Sequence, residues 1–425
     1  MKSLESYTCH TEHSEVSCNT ESSLDLPLES LSLQPFLQSL HKEQWQEVRL
    51  GEVAKQIVSG GTPKSTQAEY YNGNIPWLNT KEVKNCRIYA TERQITELGL
   101  CNSSAKWIDK NSVIVAMYGA TAGKVAINKI PLTTNQACCN ISVDSEKANY
   151  NFIYYTLLDS FDRLDQMTSG AAQQNLNVGL ISNFTFLLPP LTIQQKIAEI
   201  LSSFDDKIDL LHRQNKTLES LALTLFRHYF IDNPKRDEWE EKPLSEVCQI
   251  KNGFAFKSEE YKKIGIPVVR TTNFKNGFVE NHNLVYLDEN DKNKYSKYLL
   301  QVNDFLLVMV GASLGKYAIV TSEILPALQN QNMWNFRVLG SVSQYYLNYA
   351  MQEIIANNIN TASGSAREFF QKSYFYKIPI LIPPKNIMMK FHTQMDNFYH
   401  KTTNNRKQIQ NLQAMRDMLL KAIFA

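Results

Sequence analysis

The 425-residue sequence contains no uninterrupted run of about eighteen apolar residues, and no basic segment followed by an apolar core stands at its start. Neither a membrane-spanning helix nor a standard secretion signal is therefore expected. The seven cysteines include no Cys-x-x-Cys pair and no spacing typical of a zinc site. An odd cysteine count in a chain of this length favours reduced thiols, and hence a cytoplasmic protein.

A strong overall charge is also lacking. The net charge is only +2, which by itself gives weak support for a nucleic-acid partner. The charge is unevenly distributed, however, because residues 1–44 carry two lysines against seven acidic residues. We predict that residues 1–44 form an acidic N-terminal extension that is partly disordered. The remainder of the chain has a modest basic excess, which suits contact with DNA.

The common catalytic motifs are missing as well. The stretch Gly119-Ala120-Thr121-Ala122-Gly123-Lys124-Val125 is close to a phosphate-binding loop, but only three residues separate its glycines and valine replaces the magnesium-binding hydroxyl residue. A Gly-assisted turn after a buried strand is the simpler interpretation. The string Asn233-Pro234-Lys235-Arg236 lacks the aromatic end of an adenine-methyltransferase tetrapeptide. No carboxylate cluster or Ser-His-Asp arrangement can be assembled, so we predict no catalytic residues and no metal site.

The most informative stretch present is a long segment without proline or glycine between Pro190 and Pro234. Its seam residues recur in alternating steps of four and three, which predicts a helix that buries one narrow face against another helix. We expect this central long helix to span 191–232, with Thr192 as its N-cap. The seam positions are Ile197, Leu201, Phe204, Ile208, Leu211, Asn215, Leu218, Ala222, Leu225 and Tyr229.

A second copy of this segment closes the chain. Ile382-Pro383-Pro384 repeats Leu188-Pro189-Pro190, and a C-terminal long helix is predicted over 385–425. Because a long helix alone is marginal in water, the two helices are expected to pair, most simply as an antiparallel coiled coil. The second seam is more polar, and polar seam residues tend to fix register and partner choice. Its positions are Phe391, Met395, Phe398, Thr402, Asn405, Ile409, Leu412, Arg416, Leu419 and Ile423.

The segments before the two helices also repeat one another. Val113–Lys124 corresponds to Phe305–Lys316, Ile75–Thr80 to Ile266–Thr271, and Asn135-Gln136 to Asn330-Gln331, always in the same order. Each half mixes short β-rich runs with Gly/Asn turns and one helical patch. We predict an α+β fold with two similar domains, 45–190 and 239–384, each followed by a long helix.

Polar and basic residues occupy corresponding turns of the two halves and are the predicted DNA contacts. Asn and Gln can pair with adenine and Arg with guanine, while Lys, Ser and Thr hold phosphates. The alternative is that such residues only cap turns. In the first half they are Lys64, Ser65, Asn79, Thr80, Lys81, Thr121, Lys124, Asn135, Gln136, Gln173, Gln174 and Asn175. In the second half they are Lys257, Arg270, Thr271, Thr272, Asn273, Lys275, Ser313, Lys316, Asn330, Gln331 and Arg367.

Over residues 45–425 the chain resembles the specificity subunit of a type I restriction-modification enzyme. The resemblance rests on the duplicated domain-and-helix order and on the motifs Gly61-Thr62-Pro63, the Gly119–Lys124 turn, the Asn-Gln pairs, and Gln194-Gln195-Lys196-Ile197-Ala198 after the two prolines. The second half departs from it, with Phe254 and Ala255 in place of Gly-Thr and Met388-Met389-Lys390-Phe391 in place of Gln-Gln-Lys-Ile.

The resemblance implies two target recognition domains, each reading one half of a bipartite, asymmetric site in double-stranded DNA. The two helices would pack antiparallel about a pseudo-twofold axis and would dock the methylation subunits, which the restriction subunits then join. S-adenosylmethionine, ATP and magnesium would belong to those partners and not to this non-catalytic chain. Two other interpretations remain open: a coiled-coil scaffold with two protein-binding domains, and the reading module of a fused nuclease-methyltransferase.

Overall fold

The computed structural model describes residues 34–160, 163, 175–281, 283–358 and 370–424. Residues 1–33 of the predicted acidic extension lie outside this part of the chain. The chain divides into two compact units, Met1–Ser202 with Asp417–Ala425, and Ser203–Arg416. The division falls inside both long helices, so each unit contains one α+β domain together with segments of both helices. The domain boundaries expected from the sequence stay a prediction.

The first unit is built around a five-stranded sheet in the order β2-β9-β6-β7-β4, with β6 buried along its whole length. A three-stranded sheet (β5-β3-β8) and the antiparallel pair β1-β10 complete it. The strands are β1 (Gln46–Arg49), β2 (Ala54–Ser59), β3 (Tyr71–Leu78), β4 (Cys86–Ile88), β5 (Arg93–Ile95), β6 (Val113–Ala116), β7 (Val125–Asn128), β8 (Thr133–Thr134), β9 (Cys138–Val143) and β10 (Thr185–Leu188). Its short helices are α1 (Gln34–Gln38), α2 (Glu97–Cys101), α3 (Tyr150–Asp159) and α4 (Val178–Ser182).

The second unit repeats this plan. Its larger sheet has the order β12-β20-β17-β18-β15-β14, beside a three-stranded sheet (β16-β13-β19) and the pair β11-β21. The strands are β11 (Glu240–Pro243), β12 (Cys248–Asn252), β13 (Ile266–Val269), β14 (Phe274–Lys275), β15 (Phe278–Val279), β16 (Val285–Leu287), β17 (Phe305–Val308), β18 (Tyr317–Ile319), β19 (Leu328–Gln329), β20 (Met333–Val338) and β21 (Pro379–Ile382). Its short helices are α6 (Leu244–Val247), α7 (Gln344–Asn358) and α8 (Lys372–Lys377). The predicted α+β class and duplication are confirmed.

The central helix, α5, spans Leu191–Phe226 and continues as a π-helical turn, Arg227–Ile231. It starts at Leu191, as expected, but Thr192 lies inside the helix, so the prediction of Thr192 as N-cap is wrong. The carbonyl of Pro190 already accepts hydrogen bonds from the backbone N–H groups of Ile193 (2.9 Å) and Gln194 (3.1 Å), which places Thr192 inside the first turn. The C-terminal helix, α9, spans Lys385–Phe424.

A glutamine in the first turn of α5 attaches this helix to its own domain. The side chain of Gln194 is buried; it donates a hydrogen bond to the Pro189 carbonyl (2.9 Å) and accepts one from the backbone N–H of Asn149 (2.9 Å). Asn149 in turn caps helix α3, since its Oδ1 accepts from the backbone of Asn151 and Phe152. Gln194 therefore couples the start of the long helix to the packing of α3.

Within the second unit the two long helices run antiparallel. Phe226 of α5 lies beside Phe391 of α9 (ring centroids 6.2 Å apart), whereas Asp205, near the other end, pairs with Arg416 (2.7 Å). Residue numbers thus rise along one helix as they fall along the other. The seam expected for α5 is buried at Ile197, Leu201, Phe204, Ile208, Leu211, Asn215 and Ala222. The predicted antiparallel pairing is confirmed for the segments in this unit.

Candidate nucleic-acid interface

The segment 117–124 is a hairpin turn between the antiparallel strands β6 and β7. The backbone N–H of Gly123 donates to the Ala116 carbonyl (2.8 Å), and that of Lys124 to the Thr121 carbonyl (3.0 Å). Gly119 and Gly123 adopt φ values of +89° and +76°, which glycine tolerates without strain. A strand follows this turn, whereas a phosphate-binding loop leads into a helix. The interpretation as a Gly-assisted turn is confirmed.

The second unit contains the same turn between β17 and β18. Gly315 donates to the Val308 carbonyl (3.1 Å) and Lys316 to the Ser313 carbonyl (3.0 Å), with φ values of +84° at Gly311 and +81° at Gly315. The backbone is shared, but the side chains differ. Thr121 is only 8% exposed and its hydroxyl donates to the Thr80 carbonyl (2.7 Å), whereas its counterpart Ser313 is exposed.

Two aromatic side chains hold the loop that carries Lys64 and Ser65. The indole N–H of Trp77 donates to the Gly61 carbonyl (2.9 Å), and the hydroxyl of Tyr71 donates to the Pro63 carbonyl (2.6 Å). The backbone N–H of Gly61 also donates to the Thr134 carbonyl (2.8 Å), at the end of β8. The backbone is fixed from beneath, while the Lys64 and Ser65 side chains are exposed to solvent.

Asn79 follows β3 and caps the short turn Thr80–Glu82. Its Oδ1 accepts from the backbone N–H of Lys81 (3.2 Å), and Glu82 accepts from the backbone N–H of Asn79 (3.0 Å). The Lys81 ammonium group lies 2.5 Å from the carboxylate of Glu92. The hydrogen bond from Lys81 lowers the pKa of Glu92 below its ordinary value. The charge of Lys81 is therefore paired with that of Glu92, and a phosphate contact would have to replace this exposed ion pair.

Asn135 and Gln136 follow β8, which pairs with β3 in parallel, so they leave the sheet at the same edge as Asn79. Asn135 is 8% exposed, and its backbone N–H donates to the Leu78 carbonyl (2.9 Å). Its Oδ1 has no hydrogen-bond partner within the described residues. Gln136 is exposed, and its Oε1 accepts from the Thr62 hydroxyl. The parallel pairing of β3 with β8 thus places Asn135 and Gln136 at the same sheet edge as Asn79.

Asn175 is the last described member of the predicted DNA contacts in the first half. It lies near the hairpin turn, because the backbone N–H of the next residue, Leu176, donates to the Met117 carbonyl (3.1 Å). Asn175 itself is exposed. Gln173 and Gln174 lie outside the described residues, as does Arg367 of the second half.

In the second unit, Arg270 takes the position of Asn79 at the end of β13. Its backbone N–H donates to Oδ1 of Asn273 (2.8 Å), and its guanidinium Nη2 donates to the Asn283 carbonyl (2.9 Å). Asn273 is buried and serves this turn, whereas Thr271 is half-buried and Thr272 exposed. The arginine head is consequently held against the backbone of a neighbouring loop, which limits its freedom.

Lys275 extends this edge through the hairpin formed by β14 and β15. Asn276 and Gly277, at φ values of +50° and +76°, make the tight turn that such a hairpin favours. The Lys275 side chain is exposed and pairs with Glu280 at 3.0 Å. Like Lys81 in the first unit, it carries a charge that is already balanced by a carboxylate.

Asn330 and Gln331 follow β19, as Asn135 and Gln136 follow β8. Asn330 is buried, and its backbone N–H donates to the Val269 carbonyl (3.2 Å). The Oε1 of Gln331 is buried without a hydrogen-bond partner among the described residues. Lys257 is exposed on the adjoining loop. The two units therefore gather corresponding residues at corresponding edges.

One aromatic residue beside the first edge was missed by the sequence reasoning. Trp107 is 49% exposed and follows Lys106, which is exposed too. Residues 105–107 begin directly against the loop that carries Gly61 and Lys64, because a Cβ built on Gly61 would come within 2.1 Å of the Ala105 backbone nitrogen. An aromatic residue next to a lysine in a Ser-rich loop was the available signal, since exposed aromatic faces stack on bases.

Within the described part of the chain, no group of three or more His, Cys, Asp or Glu side chains is arranged to hold a metal ion. Across the same residues, no helix combines the length and apolar character needed to cross a bilayer.

These features define a two-domain α+β protein in which related sheets present polar and basic turns and two long helices accompany the domains. The chain belongs to the type I restriction-modification specificity family: the profile described as "Type I restriction modification DNA specificity domain" matches residues 42–220 and again residues 236–414. The two matches correspond to the two repeated halves.

Relatives of this family align along most of the chain. The MjaIX specificity subunit of a type I restriction enzyme from Methanocaldococcus jannaschii is 28% identical over 398 residues, which covers 87% of this chain and 90% of the relative. The EcoKI specificity subunit from Escherichia coli is 20% identical, covering 87% and 85%. The crystal structure of a type I S subunit from M. genitalium has a TM-score of 0.55 at 17% identity and covers 90% of this chain and 96% of that one, so it shares the fold.

Proposed function

We propose that this chain is the DNA-recognition subunit of a type I restriction-modification complex, with each domain reading one half of a bipartite, asymmetric site. The observation that carries the proposal is that the three-stranded sheets of the two units have corresponding edges. At each edge, the loops that follow two parallel strands converge: β3 and β8 in the first unit, and β13 and β19 in the second. Asn79 and Arg270 hold the same place on these edges, and they prefer different bases. Two similar domains can therefore read two different sequences.

The exposed and half-buried members of the predicted set are assigned the DNA contacts, together with Lys106 and Trp107. The buried members, Thr121, Asn135, Asn273 and Asn330, are assigned instead to supporting the loops, because their side chains or backbones hold adjacent turns and they offer little surface to a ligand. The proposed contacts are Lys64, Ser65, Asn79, Thr80, Lys81, Lys124, Gln136, Asn175, Lys257, Arg270, Thr271, Thr272, Lys275, Ser313, Lys316 and Gln331.

The long helices are assigned two roles, as the spacer between the two reading domains and as the docking surface for methylation subunits, through which restriction subunits join. Relatives are named specificity subunits of restriction enzymes, which supports a recognition role and not a catalytic one. In this proposal S-adenosylmethionine, ATP and magnesium bind to the partner subunits, the helices relate the domains by a pseudo-twofold axis, and the complex acts on DNA in the cytoplasm.

A domain exchange in the assembled complex tests this proposal. Replacing residues 45–190 with the corresponding domain of another family member should change one half of the methylated site, as determined by methylome sequencing. The matched exchange of residues 239–384 should change only the other half. Simultaneous change of both halves would contradict independent reading. If the chain showed no salt-dependent binding to duplex DNA, it would instead be a protein scaffold.

A further inference from the structure

The seam between the two long helices contains two buried polar pairs, both within the second unit. Nδ2 of Asn405 donates to Oδ1 of Asn215 at 2.8 Å, and the two residues are 0% and 8% exposed. Nη1 of Arg416 lies 2.7 Å from Oδ1 of Asp205, with 13% and 9% of the side chains exposed. Each pair joins one residue of α5 to one residue of α9.

These pairs do not follow the repeat that relates the two helices. When the seams are aligned so that Phe391 takes the place of Ile197, Asn405 falls on Leu211 and Ile409 falls on Asn215. The internal counterpart of the Asn215–Asn405 contact is therefore formed by Leu211 and Ile409, which belong to one apolar cluster. On either side of its centre, the seam therefore has an amide pair at Asn215–Asn405 and an apolar pair at Leu211–Ile409.

This asymmetry distinguishes the observed pairing from pairing between like helices of two chains. Two copies of α5 in the same register would place Asn215 against Leu211 twice, and two copies of α9 would place Asn405 against Ile409 twice. Both arrangements bury amides without amide partners, which is costly. Asp205 would likewise face Ala222, and its carboxylate would be buried without Arg416.

We propose that the Asn215–Asn405 and Asp205–Arg416 pairs select the partner helix, so that α5 pairs with α9 and not with a second α5. Apolar seam residues would tolerate either choice, whereas these polar side chains face polar partners in only one. The two reading domains then come from different halves of the repeat. If the proposed function holds, this pairing is what keeps the recognised site asymmetric, because a pair of like helices would bring together two identical readers.

Reciprocal charge variants of the full-length chain test the proposal without reference to DNA. Asp205→Arg and Arg416→Asp each place like charges at one point of the seam. When the two variants are co-expressed with different tags, helix exchange restores both Asp–Arg contacts. We expect at least about tenfold more co-purification than between two parent chains, since breaking a buried pair is strongly unfavourable. Light scattering should give the mass of two chains.

The controls separate partner choice from general damage. Lys207→Glu changes an exposed charge on the same turn of α5 and should leave co-purification at the parent level. The doubly reversed chain, Asp205→Arg with Arg416→Asp, should behave like the parent. If either single variant is insoluble alone, recovery of soluble protein on co-expression counts as the expected rescue. Co-purification at the parent level and no rescue would overturn the proposal.

A second variant removes the amide pair. Asn215→Ile with Asn405→Leu makes the two seams alike at these positions, so like and unlike pairs become equally well packed. We expect the fraction of two-chain species to rise above that of the parent after co-expression. A variant that stays as monomeric as the parent would show that the amides do not select the partner.

Discussion

The two domains place a buried polar pair at the same point of their central sheets but build it from different residues. In the second domain, Asp304 is paired with Arg337 and also accepts a hydrogen bond from Asn335 (2.7 Å). The matching strand register puts Ser112 and Ser142 at this point of the first domain, with hydroxyls 3.4 Å apart. Both residues of the pair therefore differ between the two domains, whereas the strand pairing is the same.

This difference shows what the duplicated fold requires and what it leaves free. Backbone hydrogen bonds fix the strand order, the hairpin turns and the edge at which the loops emerge. Side chains that face one another can then change, provided that buried polar groups keep partners. The same freedom applies to Asn79 and Arg270 at the proposed reading edges.

The largest expected effect comes from breaking the second domain's pair. Asp304→Ala leaves the mostly buried Arg337 without its carboxylate, and should lower the free energy of unfolding by about 3–5 kcal/mol. Denaturant unfolding of the full chain, followed by tryptophan fluorescence, measures this. The double variant Asp304→Ser with Arg337→Ser copies the first domain and should lose clearly less. An equal loss in both variants would show that the pairing is not the stabilising feature.

Next in size is a glycine that both domains share. A Cβ on Gly253 would lie 1.9 Å from the Asn330 carbonyl oxygen, and one on Gly60 would lie 2.3 Å from that of Thr134. Because these contacts are with backbone, Gly253→Ala and Gly60→Ala should each cost about 1–3 kcal/mol. Thermal unfolding of the two variants provides the comparison. If only one of the two substitutions lowered the melting temperature, the loops around Gly60 and Gly253 would not be structurally equivalent.

A smaller effect is expected from the lysines at the two hairpin turns. Lys124→Ala and Lys316→Ala should each weaken duplex binding to a similar degree for all sequences and reduce the salt-dependence slope by about 1, if each holds one phosphate. Binding titrations at several salt concentrations measure the slope. Lys390→Ala, an exposed lysine on α9, serves as the matched control. An effect on one sequence only would instead indicate base reading.

The smallest effect concerns the short turn Ser322–Ile324, which lies between β18 and β19 of the second domain. Within the described residues, the first domain has no such turn between the corresponding strands, β7 and β8. Burial raises the pKa of Glu323 above its ordinary value, and the charges of Arg406 and Lys407 oppose this rise. A raised pKa in the folded state means that stability is lost as pH rises through it. Glu323→Gln should therefore raise the melting temperature slightly at pH 7, and the gain should vanish below about pH 4.5. A gain that persists in acid would contradict this cause.

Much of the fold follows from patterns along the chain. The steps of three and four in the seams predict both long helices because a helix repeats its faces at that spacing, and the repeated order of motifs predicts two similar domains. The convergence of Lys64, Asn79 and Gln136 was predicted only as a shared function. Their proximity depends on which strands pair in parallel, and short strands do not encode their neighbours.

The sequence by itself determined the duplication, the α+β class, the helix lengths and the polar turns, because these depend on local periodicity and residue type. Only the tertiary structure decided that Thr121, Asn135, Asn273 and Asn330 are buried and that Trp107 lies beside a recognition loop. It also decided that Asn215 meets Asn405. Burial and pairing depend on what a distant segment places opposite a side chain, and that information is absent from any single stretch.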